Sequence, residues 1–135
     1  MTNIETLKNS IKEELETLSS IEKVYSYESG IIEGYPVAQV SSYNFSSSLS
    51  SNISNLDLFR FRIRVLHPHT GKEEESERAV NTVVFDIINL FEDPETMKPI
   101  VQFIKINEAV FGYLENGNKR ICDIILECQL DREYI

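Results

Sequence analysis

Residues Phe59 to Val65 read Phe-Arg-Phe-Arg-Ile-Arg-Val, and this alternation constrains the fold more than any other segment. A period of two belongs to a β-strand. It places Phe59, Phe61, Ile63 and Val65 on one face and Arg60, Arg62 and Arg64 on the other. The apolar face has to be covered by a second layer. Arginines on the other face lie about 7 Å apart along the strand and repel one another unless carboxylates sit nearby. Two readings of that face follow. It is a solvated sheet face balanced by neighbouring acids, or a surface that meets an acidic partner, such as a second copy of this acidic protein.

The acidity is marked: 13 basic against 22 acidic side chains in 135 residues, a formal net charge of −9. General nucleic-acid binding needs clustered excess positive charge, and docking on anionic membranes needs the same, so both are disfavoured. The length fits a single domain, residues 1–135, that buries about two thirds of its unfolded surface without disulfides. Met1-Thr2-Asn3-Ile4-Glu5 lacks the basic region and apolar core of a signal peptide. The longest uncharged stretch, Gly34 to Leu56, is too serine-rich to span a membrane. Cys122 and Cys128 are six residues apart in a strand-like run, about 20 Å in extended chain and beyond disulfide reach. Two core thiols in a reducing compartment are expected.

Along the chain, Thr2 and Glu5 fit a capping box. Ile4, Leu7, Ile11, Leu15 and Leu18 then recur at helical spacing, which predicts a helix ending near Ser19-Ser20. Ile21 to Tyr27 and Val37 to Tyr43 are strand candidates. Ser41 to Asn55 holds eight serines in 15 residues, yet Phe45, Leu49 and Ile53 are embedded in it. A projecting hairpin or loop at about 41–55 is expected, its outer part ordering on contact with a neighbour. The arginine strand spans about Leu56 to Leu66, and His67-Pro68-His69-Thr70-Gly71 is expected to turn. Thr70 to Glu73 fits a second capping box. Ala79, Val80, Val83, Val84, Ile87, Ile88 and Phe91 form the stripe of a second helix that stops before Asp93-Pro94. Ile100 to Leu114 reads as a strand kinked at Gly112. Asn116-Gly117 signals a type I′ hairpin, and Lys119 to about Gln129 is the return strand. The predicted class is α+β: a mostly antiparallel sheet of about five strands with two helices on one face, in the order α-β-β-β-α-β-β.

Residues suited to chemistry are sparse. His67 and His69 flank a proline near Glu73, Glu74 and Glu75, but two loop histidines make an ordinary turn rather than a metal site. The serines lack a Gly-x-Ser-x-Gly turn, and five glycines form no phosphate-binding loop. Glu13-Glu14 and Glu73-Glu74-Glu75 read as solvated helix surface. No catalytic residue, cofactor or metal is expected, and the chain is not expected to be an enzyme.

A short N-terminal helix is followed by Val24-Tyr25-Ser26-Tyr27-Glu28, then by Ile32-Glu33-Gly34-Tyr35-Pro36-Val37-Ala38, a polar extension and the alternating strand. Glu73-Glu74-Glu75-Ser76-Glu77-Arg78-Ala79 opens the central helix, and a C-terminal hairpin closes the chain. This order, with its Gly-Tyr-Pro strand entry, resembles the tail terminator (tail completion) proteins of long-tailed bacteriophages over nearly the whole length. The resemblance implies a structural virion protein with no catalytic residues. It implies a homo-oligomeric ring, usually of six copies, assembled in the host cytoplasm and located at the tail neck. Such a ring caps the tail tube, ends its polymerisation and meets the head-completion or connector protein. DNA passes through without being specifically bound. The protein interface is then expected at Arg60, Arg62, Arg64, Phe45, Leu49 and Ile53, with acids such as Glu28, Glu33, Glu73, Glu74 and Glu115 as candidates for the inner surface. The competing classes are another head-tail neck protein and a small ligand-binding or regulatory α+β domain.

Overall fold

A computed structural model of the chain describes residues 4–27, 35–49, 54–68, 73–93, 95–97, 101, 103–114 and 118–133. The elements are α1 (Ile4–Leu15), β1 (Lys23–Tyr25), β2 (Val37–Leu49), β3 (Ser54–Pro68), α2 (Glu73–Glu92), β4 (Phe103–Leu114) and β5 (Lys119–Glu133). They form one five-stranded sheet in the order β1-β2-β3-β5-β4. Only the β1–β2 pair is parallel. This is the α+β architecture expected from the sequence, in the expected element order.

The alternation in β3 sorts as its period demands. Phe61, Ile63 and Val65 are buried in the core, and Phe59 packs at its margin. Both helices cover that face. Leu7, Ile11 and Leu15 of α1 and Val80, Val83, Val84, Ile87 and Phe91 of α2 join one cluster with Ala38, Val40, Cys122, Ile124, Leu126 and Cys128 of the sheet. A smaller cluster of Tyr25, Val37, Leu66 and Ile121, with Tyr35 and Leu114, lies on the opposite face.

Several boundaries differ from the sequence expectation. Helix α1 stops at Leu15 because the next turn tightens. Thr17 N and Leu18 N bond three residues back, to Glu14 O and Leu15 O, and Thr17 Oγ1 donates to Glu14 O at 2.6 Å. Leu18 still packs on the core from outside the helix. Strand β1 is only three residues long, since it pairs with Val37, Ala38 and Gln39 alone. Strand β2 runs through the serines to Leu49 because β3 supplies partners down to Leu49↔Asn55. A bulge at Tyr43, between Ser42 and Asn44, resets its faces. His67 and Pro68 belong to β3, opposite Arg120 and Lys119, rather than to a turn. The irregularity in β4 falls at Asn107, between Ile106 and Glu108, and not at Gly112, which pairs in register with Ile121. A Cβ at Gly112 would meet Ile121 Cγ1 at 3.9 Å, ordinary contact, so space does not require glycine there. Strand β5 continues past Gln129 because the start of β3 pairs with it as far as Ser54↔Glu133. Both capping boxes and the Asn116-Gly117 turn rest on residues outside the described ones.

Candidate functional site

The register of β3 against β5 decides the fate of the arginines. Arg60 lies opposite Glu127 and Arg64 opposite Asp123, while Arg62 faces Ile125. Both charged pairs close. Arg60 Nε donates to Glu127 Oε1 at 2.9 Å. Arg64 binds Asp123 with two parallel bonds, Nε to Oδ1 at 2.7 Å and Nη2 to Oδ2 at 2.9 Å. The hydrogen bond to Asp123 raises the Arg64 pKa against the effect of burial, so the guanidinium stays charged. Arg60 also donates from Nη1 to Asn44 Oδ1 of β2 at 2.9 Å.

Glu127 is the centre of this face. Its side chain is 5 % exposed. It accepts from Arg60, from Gln129 Nε2 at 3.0 Å and from Asn107 Nδ2 at 3.4 Å, and Lys105 Nζ lies 3.6 Å away. Asn107 lies two residues past Lys105 on the same face of β4, within reach of Glu127. Burial alone would raise the carboxyl pKa. The bonds from Gln129, Asn107 and Arg60 and the charge of Lys105 outweigh it and hold the pKa below the ordinary value. The basic stripe of the sequence is therefore a cross-strand charge network on the open face of the sheet. Sequence reasoning missed Asp123 and Glu127 as its partners. Their spacing of four, matching that of Arg60 and Arg64, was the available signal.

The other expected interface residues lie elsewhere. Phe45 falls on the helix-side face beyond the Tyr43 bulge, its ring 4.8 Å from that of Phe59. With Ile4, Tyr43 and Phe61 they line an open apolar groove of ≈ 190 Å³ beside the edge of β2. Leu49 ends β2, and Ile53 lies outside the described residues. So do Glu28, Glu33 and Glu115, whereas Glu74 is exposed on α2 and paired with Arg78.

The two borders of the sheet complete the picture. Strand β1 shields β2 only at Val37–Gln39, so among the described residues no strand pairs with the outer edge of β2 from Val40 to Leu49. Strand β4 is the opposite border, and among the described residues no strand pairs with its outer edge. It carries the half-exposed side chains Phe103, Val110, Phe111 and Tyr113. Beneath two of them lies Arg120, its guanidinium carbon 5.4 Å from the Phe111 ring centre and 4.8 Å from that of Tyr113.

Cys122 and Cys128 are free and fully buried. Burial pushes each thiol up to about 12, with the charges of Asp123 and Glu127 adding to it. His67 Nδ1 lies 2.9 Å from its neighbour's carbonyl, Pro68 O, and His69 lies outside the described residues. Among the described residues, no cluster of three His, Cys, Asp or Glu side chains is placed to hold a metal. No helix among them is long and apolar enough to cross a membrane. Comparison with known protein families and with curated proteins finds no match to the chain.

Proposed function

We propose that this chain is a ring-forming structural subunit of the tail terminator type, which caps a phage tail tube and joins it to the head. The observation that carries the reading is the pair of sheet edges that no strand covers among the described residues. From β2 through β3 and β5 to β4 every neighbour is antiparallel, so β2 and β4 run in opposite directions. A second copy set beside the first with its strands in the same sense therefore brings its β4 antiparallel to β2 of the first. That contact is head to tail and repeats until a ring closes. With Arg60 and Arg64 occupied by Glu127 and Asp123, the edges suit subunit contacts better than the stripe does.

The groove, at ≈ 190 Å³, is smaller than the roughly 300–1,000 Å³ of typical small-molecule sites and so lends a ligand-binding module little support by itself. Fold alone does not separate a terminator from other neck proteins. Electron microscopy of the purified protein with tail tubes makes the distinction. Rings seated on tube ends are expected. Rings that bind only the connector would mark another neck protein, and a monomer that binds neither would remove the assembly reading.

A further inference from the structure

We infer that the subunit contact is a staggered strand pair in which Phe111 of one copy lies beside Phe45 of the next, with Tyr113 beside Ser42, so that the two rings fill the groove along β2. The occupant of the groove is a second copy of this chain, and the inference rests on the ring reading above.

Charge selects the partner strands. Copies with a net charge of −9 repel, and edge strands are ordinarily guarded by charged side chains. Yet Val40 to Leu49 contains no charged residue, and neither does Ala109 to Leu114. The two segments lie on opposite borders of the sheet, where a head-to-tail contact brings them together.

The stagger follows from β1. Through the ladders, Phe111 stands level with Cys122, Val65 and Ala38. At Ala38 the edge is already taken by Val24 of β1. A neighbouring β4 that keeps the Phe111–Leu114 end paired must slide toward Leu49. Setting Phe111 against Phe45 places Leu114 against Ser41, clear of β1. Facing is kept: Phe111 and Tyr113 pair with Cys122 and Arg120, Phe45 and Ser42 with Phe59 and Phe61, all on the helix side. The slide is about 20 Å over a four-strand width of about 19 Å, which tilts strands by about 45° from the ring axis, close to the tilt of closed sheets.

Cysteine pairing tests the register. Directly opposed strand residues have Cα atoms within disulfide reach. The double variant Asn44→Cys/Gly112→Cys keeps both rings and sets the two thiols at opposed positions of that register. Oxidised with and without tail tubes, it should give a ladder of linked copies on a non-reducing gel. Asn44→Cys/Phe103→Cys should give none. The native cysteines are buried and do not compete. Asn44 is exposed and a Cβ at Gly112 has room, so folding should persist, as circular dichroism would show. Independently, Phe111→Ser should weaken self-association at least tenfold in sedimentation. If the wild type assembles while the Asn44–Gly112 pair stays unlinked, or the Phe103 pair links instead, the register is wrong and the ring reading survives. If the wild type does not assemble, alone or on tube ends, both fall.

Discussion

Arg60 and Glu127 stand at directly opposed positions of neighbouring strands, with Nε 2.9 Å from Oε1. The carboxylate is almost wholly buried and the guanidinium is about three quarters buried. Such a pair contributes little against an apolar substitute, but losing one partner leaves a charge desolvated. Its role is positional: it fixes the register of β3 on β5, strands far apart in sequence. A slip by one residue would send every arginine to the core face.

Glu127→Gln should therefore destabilise the fold by about 2 kcal/mol at pH 7, less than the roughly 3–5 kcal/mol of a fully buried pair, because Lys105 is half exposed. The pKa of Glu127 is lowered in the folded chain from 4.5. Its contribution is then fully present above the unfolded value and is lost as pH falls through the lower folded value. Urea titrations of both proteins should differ by a constant amount from pH 7 to pH 5 and converge in stronger acid. An undiminished difference at pH 2 would show that the charge of Glu127 is not what matters.

Arg64 and Asp123 form the tighter pair, with two parallel bonds and side chains 18 % and 23 % exposed. A double-mutant cycle with Arg64→Ala and Asp123→Ala should return a coupling of about 1–2 kcal/mol. Replacing Arg60, Arg62 and Arg64 together by glutamate should cost much more. It removes these bonds and sets new carboxylates against Glu127 and Asp123. A cooperative thermal transition unchanged in the triple variant would show the network to be dispensable for folding.

Cys122 and Cys128 should not react with a thiol reagent in the native protein at pH 8. Both are fully buried, and their thiols are pushed up to about 12. Two equivalents should label within minutes in denaturant. Rapid labelling of the native chain would show that β5 opens readily.

The element order was legible because each element carried its own period: two in β3, and near 3.6 in the stripe from Val80 to Phe91. Cross-strand partners were legible only as the shared spacing of four in Arg60/Arg64 and Asp123/Glu127. Adjacency of β3 and β5 is non-local, so Arg64 and Asp123 could be matched only once the strand order was known. In the serine tract, composition alone reads as a loop, and only the embedded Phe45, Leu49 and Ile53 point to a hairpin; β3 offers a ladder to every residue of β2 from Asn44 to Leu49. The groove depends on the Tyr43 bulge, which turns Phe45 to the helix side, and no spacing in the sequence marks a bulge.

Three arginines on one strand suggest a phosphate contact until their partners are known. Arg60 and Arg64 are each held by a carboxylate, and binding phosphate there would strip Glu127 and Asp123 of their counter-charges. The chain as a whole is acidic, and six copies at −9 each in the proposed ring would carry a formal charge of roughly −54. Counterion release, the main source of affinity for duplex DNA, needs free cations at phosphate spacing. The protein should therefore leave duplex DNA unshifted in a gel at low salt, as the proposed ring would require. A clear shift that weakens with added salt, and is lost when Arg60, Arg62 and Arg64 are replaced by glutamine, would make the stripe a nucleic-acid contact and overturn the prediction.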